Sequence, residues 1–187
     1  MTTRRKFLSS SILGSASILT ACEAASAPSA TADTRPLVIS TWDFGTAANA
    51  EAWKILEKGG RALDAVEAGV KIPEGDPTVQ TVGYGGFPDR DGHVTLDACI
   101  MDDKYNCGSV MFLEYIKHPI SVARMVMEKT PHIVLVGEGA LQFALANGFQ
   151  KENLLLPESE KAWKEWLKTS KYEPQVNIEN KSFKADT

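Results

Sequence analysis

The sequence has few of the residues that build metal and nucleotide sites. Its 187 residues include only three cysteines and three histidines, and their spacing is not that of a zinc site. The histidines are scattered singly, which is usual for structural or surface positions. The glycine cluster at residues 83–86 is not followed by the Lys-Ser/Thr pair of a phosphate-binding loop, so we predict a tight loop or a close backbone approach there.

Basic residues do not outnumber acidic ones. Lys and Arg total 20 against 24 Asp and Glu, for a formal charge of −4, and they form no basic stripe. This balance argues against nucleic acid as a partner. With 43% apolar and 24% charged residues, the composition is that of one globular domain with an ordinary buried core.

The apolar run near the start, at residues 11–19, is too short and too serine-rich to be a permanent membrane anchor. A twin-arginine pair at residues 4–5 precedes it, in the pattern of an export signal. Residues 19–22 (LTAC) then match a bacterial lipobox, in which the thiol of Cys22 is acylated and becomes the mature N-terminus. Plain cleavage near Ala27 is the alternative.

These features predict a division of the chain into three segments. Residues 1–22 form a twin-arginine and lipoprotein signal, and residues 23–35, rich in Ala, Ser, Pro and Thr, form a flexible tether. The folded region covers residues 36–187. We therefore expect a bacterial protein exported by the twin-arginine pathway, in the periplasm or anchored to the membrane as a lipoprotein.

Two cysteines remain in the folded region, Cys99 and Cys107, on either side of a predicted turn at residues 102–106. An exported protein can form disulfides, and a hairpin would bring these two together. Two buried free thiols are an equally good interpretation, because both residues lie in apolar runs. The sequence leaves both possibilities open.

Hydrophobic spacing predicts the α+β class with antiparallel strand pairing, rather than the regular βαβ alternation of a dinucleotide-binding sheet. The predicted order begins with a strand at 36–42, a helix capped by Thr46 and stopped by Gly59-Gly60, a helix that ends before the loop at 73–77, and a meander of strands at 81–86, 94–101 and 107–112. Helices follow at 119–129, at 140–147 and from Pro157, with a short apolar run at 132–136 between the first two, and with Trp163, Trp166 and Leu167 on one side of the last.

After Tyr172 the chain is predicted to be extended. A sheet that finishes in an extended segment at residue 187 has an unpaired edge and an uncovered face, unless another polypeptide follows.

Three further features have a structural and a functional interpretation. Residues 89–92 (DRDG) resemble the start of a calcium loop but lack a third ligand and a terminal Glu, so we predict a turn. Asp97 lies in an apolar strand, where a carboxylate must be paired or face a site, and we favour the structural role. Trp42 and Phe44, one residue apart, are predicted to point to the same side, as a wall for a ligand or as ordinary core.

Several short motifs occur in order through the folded region. They are residues 39–45 (ISTWDFG), 52–54 (AWK), 59–67 (GGRALDAVE), 82–86 (VGYGG), 88–92 (PDRDG), 96–98 (LDA) and 135–137 (LVG). Together they resemble the α-subunit region of the glycosylasparaginases, N-terminal-nucleophile (Ntn) hydrolases of the asparaginase 2 family. The match covers about residues 36 to 180. The ISTWDFG opening separates it from the isoaspartyl peptidases, which carry a His-Gly-Gly motif at their first strand.

This resemblance implies an αββα sandwich made from one precursor, of which the chain supplies only the α-subunit half. The precursor cuts itself before a threonine, and the freed threonine attacks the amide between asparagine and its sugar. Carried over by position, Asp186-Thr187 matches the scissile pair, with Thr187 as the nucleophile. Trp42 and Phe44 match the aromatic residues of the substrate pocket. The family chemistry implies no metal and no organic cofactor.

One segment departs from the family pattern. The family reads His-Asp-Thr almost directly after Ile-Glu-Asn, whereas residues 181–185 intervene here and Ala185 stands in place of the histidine. This departure bears on self-cleavage and on the assignment of Thr187.

The implied activity is hydrolysis of the β-amide of N4-(β-N-acetylglucosaminyl)-L-asparagine in glycoprotein breakdown. The implied partner is a β subunit from the same precursor, missing after residue 187, in an (αβ)2 dimer, and we expect the 187 residues alone to be inactive. One alternative is an L-asparaginase or isoaspartyl peptidase of the same superfamily. The other is an inactive, truncated surface lipoprotein.

Overall fold

The computed structural model describes residues 35–171, of which residues 37–171 belong to one compact unit. The predicted export signal, Cys22, the segment after Tyr172 that is predicted to be extended, and the Asp186-Thr187 pair all lie outside the described residues. No helix among residues 35–171 is both long enough and apolar enough to cross a membrane.

The described chain begins its regular structure with two packed helices, α1 (Gly45–Leu56) and α2 (Ala62–Gly75). They approach closely because the residues between them are small. Ala48 and Ala52 are buried, and a Cβ atom on Gly69 would lie only 2.8 Å from the backbone oxygen of Ala48. The pair at Gly59-Gly60 ends α1 as predicted, with Gly59 at a φ of +74°.

A three-stranded sheet follows, in the order β1 (Leu96–Met101), β2 (Cys107–Leu113) and β3 (Val134–Val136). β1 and β2 are antiparallel, whereas β3 pairs in parallel with β2. The parallel pairing follows from the crossover connection between β2 and β3, which contains the helix α3 (Pro119–Lys129).

One face of the sheet packs on α3. A Cβ atom on Gly108 of β2 would lie 2.2 Å from the backbone oxygen of Ala123, so only glycine permits this approach. The hydrophobic core lies at this interface and includes the fully buried side chains of Val110, Leu113 and Val126. The helix α4 (Gly137–Ala146) closes the same core with Ala140, Leu141 and Ala144.

The opposite face of the sheet is open within the described residues. Met101, Met111 and Val136 point to this side and are 59%, 49% and 57% exposed. A row of apolar side chains of this size on one sheet face normally packs against another layer.

The last described helix is α5 (Pro157–Thr169), with Pro157 in its first turn as predicted. Its contacts are with the loop before β1 rather than with the core: the hydroxyl of Ser159 donates a hydrogen bond to the backbone oxygen of Gly85. The predicted stripe of Trp163, Trp166 and Leu167 is therefore not core, since Trp166 and Leu167 are 44% and 41% exposed.

The α+β class is confirmed, but two predicted strands are wrong. Residues 36–40 have no regular structure and residues 41–44 form a turn, with Leu37 and Ile39 exposed, because a strand is stable only beside a pairing partner. Residues 81–86 form turns because Gly83 and Gly85 have φ values of +59° and +88°, which a strand does not accommodate. The meander thus reduces to one hairpin, with β3 added in parallel.

Two predicted helix ends are also wrong. Thr46 does not cap α1, which begins at Gly45 with Phe44 at the N-cap position and without a side-chain cap. α2 does not stop before the loop at 73–77 but continues to Gly75 with Pro73 inside its final turn. The packing of buried Pro73 and Glu74 against their neighbours outweighs the helix-breaking tendency of proline.

Candidate functional site

Trp42 and Phe44 come together at the N-terminus of α1. Both side chains line one cavity of about 780 Å³, together with residues 78–82 of the loop that follows α2. Phe44 also lines an adjacent cavity of about 520 Å³, whose walls include Ser40, Thr41 and residues 95–99 at the start of β1. The two aromatic residues predicted for substrate binding therefore border one concave region, although they are not on a strand.

The backbone of Trp42 is in the left-handed region, with a φ of +69°. This conformation costs an L-residue about 1–2 kcal/mol and persists only where neighbouring contacts hold it. The turn supplies them: the N–H of Gly45 donates to the backbone oxygen of Trp42 at 3.1 Å, and the N–H of Thr46 donates to that of Asp43 at 3.2 Å. The indole is left 76% exposed, in reach of a ligand.

The residues around the turn fix its shape. The carboxylate of Asp43 accepts a hydrogen bond from the N–H of Phe44 at 3.0 Å. The hydroxyl of Ser40 donates to the side-chain oxygen of Asn49 on α1. A Cβ atom on Gly45 would lie 2.6 Å from that of Ser40, so the chain can fold back here only with glycine at position 45.

A buried glutamate, Glu74, lies in the wall of the smaller cavity. Its side chain is only 5% exposed. One carboxylate oxygen accepts a hydrogen bond from the N–H of Ile120 at 3.0 Å, and the other lies 3.3 Å from Nδ1 of His118. Glu74 thus joins the end of α2 to the start of α3.

The backbone of Glu74 also fixes the glycine cluster. The N–H of Tyr84 donates to its backbone oxygen at 2.7 Å, and a Cβ atom on Gly83 would lie 2.1 Å from the same oxygen. The predicted close backbone approach at residues 83–86 is therefore confirmed. Glycine is required because any side chain would strike the end of α2.

Burial raises the pKa of Glu74 above its ordinary value of 4.5. The hydrogen bonds from His118 and Ile120 and the charge of Lys71 act in the opposite direction but do not offset the loss of water. A carboxyl group with a raised pKa, in a cavity wall, is a feature of many functional sites, although structural networks also produce it.

Asp97 has the structural role predicted for it, and it also faces the smaller cavity. Its carboxylate accepts a hydrogen bond from the N–H of Phe112 at 2.8 Å. The pairing of β1 with β2 shifts at this point, between Leu96 and Ala98, and Phe112 has a φ of +52°. Asp97 thus satisfies the backbone group that the bulge removes from the strand ladder.

The two cysteines of the folded region are free. Cys99 faces Ser109 across the hairpin and Cys107 faces Met101, so the strand register sets the two cysteines apart. Neither is fully buried. The structure therefore favours free thiols over a disulfide, but on the open face of the sheet rather than in the core.

The predicted turn at residues 89–92 is confirmed. The carboxylate of Asp89 accepts hydrogen bonds from the N–H groups of Asp91 and His93, both at 2.9 Å. Within residues 35–171, no group of three or more acidic, histidine or cysteine side chains is arranged to hold a metal ion.

Sequence reasoning missed Glu74. It lies in a Pro-Glu-Gly-Asp-Pro segment that has the composition of a solvated loop. Its burial depends on the extension of α2 through Pro73 and on the distant residues His118 and Ile120, so no local signal marks it. The predicted nucleophile Thr187 and its neighbour Asp186 lie outside the described residues, and their roles stay predictions.

Comparison with known proteins places the chain in a family. An asparaginase family model matches residues 18–187. An N(4)-(β-N-acetylglucosaminyl)-L-asparaginase of Elizabethkingia miricola is 71% identical over 146 residues, which cover 78% of this chain and 43% of the relative. An enzyme of the same name from Rattus norvegicus is 47% identical over 133 residues, covering 71% of this chain and 38% of the relative.

A putative N(4)-(β-N-acetylglucosaminyl)-L-asparaginase of Drosophila melanogaster is 47% identical over 141 residues, covering 73% of this chain and 36% of the relative. The chain thus spans about two fifths of the length of the curated relatives it matches. The resemblance predicted from the motifs is confirmed, and the chain belongs to the asparaginase 2 family.

Proposed function

We propose that this chain is the α portion of an enzyme that hydrolyses N4-(β-N-acetylglucosaminyl)-L-asparagine to aspartate and the amino sugar. The observation that carries the proposal is the shared cavity of Trp42 and Phe44, in a chain 71% identical to a protein of that name. An exposed indole and a phenyl ring at one cavity offer apolar surfaces on which the apolar parts of a mainly polar ligand can pack.

The chemistry requires a threonine at a new N-terminus. In the precursor, the hydroxyl of Thr187 attacks the carbonyl carbon of Asp186, and the peptide becomes an ester that water hydrolyses. The free α-amine of Thr187, with an ordinary pKa near 8, then accepts the proton of its own hydroxyl. One residue supplies the nucleophile and the base.

In the substrate reaction, the oxygen of Thr187 attacks the side-chain carbonyl carbon of the asparagine. The amide bond between that carbonyl carbon and its nitrogen breaks. The nitrogen leaves on the sugar as an amine and takes up the proton that the α-amine of Thr187 had accepted. Water then cleaves the resulting ester, which releases aspartate and restores the hydroxyl. The described residues contribute the cavity in which Trp42 and Phe44 hold the substrate.

The proposed partner is a β chain from the same precursor. The open sheet face, with Met101, Met111 and Val136 exposed, supports this assignment because it offers an apolar layer for a second sheet, as an αββα sandwich requires.

The proposed location is outside the cytoplasm, with export through the twin-arginine signal and attachment through acylated Cys22. Replacement of Cys22 by Ser should release the protein from the membrane fraction.

Hydrolysis assays on the complete gene product test this function. Release of aspartate from N4-(β-N-acetylglucosaminyl)-L-asparagine should exceed release from free asparagine or from a β-aspartyl dipeptide at equal concentration. A preference for either of the latter substrates supports the alternative asparaginase or isoaspartyl peptidase. No hydrolysis of any of the three supports the inactive lipoprotein.

A further inference from the structure

A third cavity lies between α5 and the loop before β1, and we call it the aromatic pocket. It has a volume of about 350 Å³ and is lined by Phe87, Pro88, Asp89, Arg90, Trp163 and Trp166, with one alanine of α5. It shares no lining residue with the cavities beside Phe44. The function proposed above assigns it no role.

The walls of the aromatic pocket are fixed in place. The indole N–H of Trp163 donates a hydrogen bond to the backbone oxygen of Arg90 at 3.2 Å. The other edge of the same ring lies against Gly92, where a Cβ atom would approach to 2.9 Å. Ser159 joins the start of α5 to the backbone of Gly85. A pre-formed cavity loses little entropy when a ligand enters it.

The pocket also leaves large aromatic surfaces in contact with water. Phe87 is 51% exposed and Trp166 is 44% exposed, and the two residues come from separate segments of the chain. The apolar side of α5, which carries Trp163, Trp166 and Leu167, therefore does not pack into the hydrophobic core. Rigid, concave and exposed aromatic surfaces of this kind are typical of ligand sites.

The charged groups of the pocket are compensated locally. One carboxylate oxygen of Asp89 accepts hydrogen bonds from the N–H groups of Asp91 and His93. The guanidinium Nε of Arg90 lies 3.7 Å from the carboxylate of Asp91. Asp89 and Arg90 are the two charged side chains that line the pocket, and their formal charges are opposite, so the lining has no net formal charge. This favours a neutral molecule with both polar and apolar surface.

We propose that the aromatic pocket is a saccharide-binding subsite for a neutral N-acetylated sugar. A pyranose ring presents C–H groups on its faces, which pack on indole and phenyl rings, and hydroxyl groups on its edges, which bond to nearby polar groups. The volume of about 350 Å³ holds one or two sugar rings. The choice of an N-acetylated sugar rests on the proposed function, whereas the pocket itself does not.

Calorimetric titration of the complete protein with N,N′-diacetylchitobiose tests the proposal. This disaccharide contains no asparagine, so its binding is measured independently of hydrolysis. We expect saturable binding that becomes about tenfold weaker in the Trp166→Ala variant and in the Phe87→Ala variant. About half of each residue's surface is exposed, so the substitutions should lower the melting temperature only slightly.

Two variants serve as controls. Trp53→Ala removes an indole of similar exposure, 43%, from α1, and it should not change the affinity. Trp42→Ala tests whether the sugar binds in the cavity beside Phe44 instead. The proposal is overturned if the titration shows no binding, if Trp166→Ala and Phe87→Ala bind normally, or if only Trp42→Ala weakens binding. Hydrolysis of the glycosylated asparagine without binding of N,N′-diacetylchitobiose would exclude the saccharide-binding subsite but would not contradict the proposed function.

Discussion

The carboxylate of Glu74 at the end of α2 accepts a hydrogen bond from the backbone N–H of Ile120 in the first turn of α3, at 3.0 Å. A negative charge near a helix N-terminus is favourable, but burial makes ionisation of this group costly. The bond connects the helix hairpin to the helix that covers the sheet. Because Glu74 also lines the smaller cavity, the stability of this junction and the shape of the candidate site depend on the same residue.

The first prediction concerns pH. Since the pKa of Glu74 is raised above 4.5 in the folded protein, the stability that this group contributes is fully present below the unfolded pKa and is lost as pH rises through the folded pKa. The Glu74→Gln variant cannot ionise. The free energy of unfolding of the variant minus that of the unmodified protein should therefore increase as the pH rises from about 4 to 7.

Urea denaturation at several pH values measures this difference. Glu57→Gln, which removes an exposed glutamate just after α1, is the matched control for the loss of one carboxylate. If the relative stability of Glu74→Gln stays flat or falls over this pH range, Glu74 is not a carboxyl group whose pKa is raised by burial.

The second prediction concerns the contact between β2 and α3. Gly108→Ala places a Cβ atom 2.2 Å from the backbone oxygen of Ala123, so the helix must move away from the core. We expect a loss of roughly 2–4 kcal/mol in the free energy of unfolding. Gly139→Ala, in α4, meets no atom within 4 Å and should instead be neutral or stabilising by about 0.5 kcal/mol. Equal effects of the two substitutions would contradict the described packing of α3 on the sheet.

The third prediction concerns Arg124, which links α3 to α2. Its guanidinium lies 2.6 Å from Asp64 and 2.7 Å from Glu67 on α2, and 2.9 Å from Glu128 on its own helix. Its side chain is only 17% exposed, so Arg124→Met should leave acidic groups unpaired and cost about 1–3 kcal/mol.

The ion pair of Lys164 with Glu160 on α5 is the comparison for Arg124. Both of its side chains are largely exposed, and Lys164→Met should change stability by less than about 0.5 kcal/mol. Thermal unfolding of the two variants gives the contrast. A loss for Arg124→Met no larger than that for Lys164→Met would show that the buried network adds nothing to the junction between the helices.

The fourth prediction separates binding from stability at Trp42. Because its indole is 76% exposed, Trp42→Ala should change the free energy of unfolding by less than about 0.5 kcal/mol. If the indole holds the substrate, the same variant should lose at least about tenfold in kcat/KM on the glycosylated asparagine. Trp53→Ala, at a less exposed position on α1 that lines neither cavity, should retain full activity. An equal kcat/KM for Trp42→Ala and the unmodified protein would show that Trp42 does not bind the substrate.

Local patterns predicted the helices well because each carries its own signals. Gly59-Gly60 ends α1, Pro119 and Pro157 begin their helices, and apolar spacing marks the buried side of α3. The hairpin of β1 and β2 was also predictable, since two apolar runs flank a polar turn at residues 102–106.

The remaining structure depends on contacts between distant residues. The segment at 36–40 has a strand-like composition, but composition does not provide the neighbouring strand that it needs. The parallel position of β3 is set by the packing of α3, and the burial of Glu74 is set by His118 and Ile120. At the candidate site, the motif placed Trp42 and Phe44 together, whereas the backbone turn that holds them there could be found only in the structure.

The central claim is that a threonine freed by self-cleavage is the nucleophile. It is tested most directly by a time course on the freshly purified complete gene product. Mass spectrometry measures the fraction cleaved before Thr187, and hydrolysis of N4-(β-N-acetylglucosaminyl)-L-asparagine is measured in the same samples. Activity should rise in proportion to the cleaved fraction, and a Thr187→Ala variant should neither cleave nor hydrolyse. Full activity from the intact chain, or from Thr187→Ala, would contradict the account.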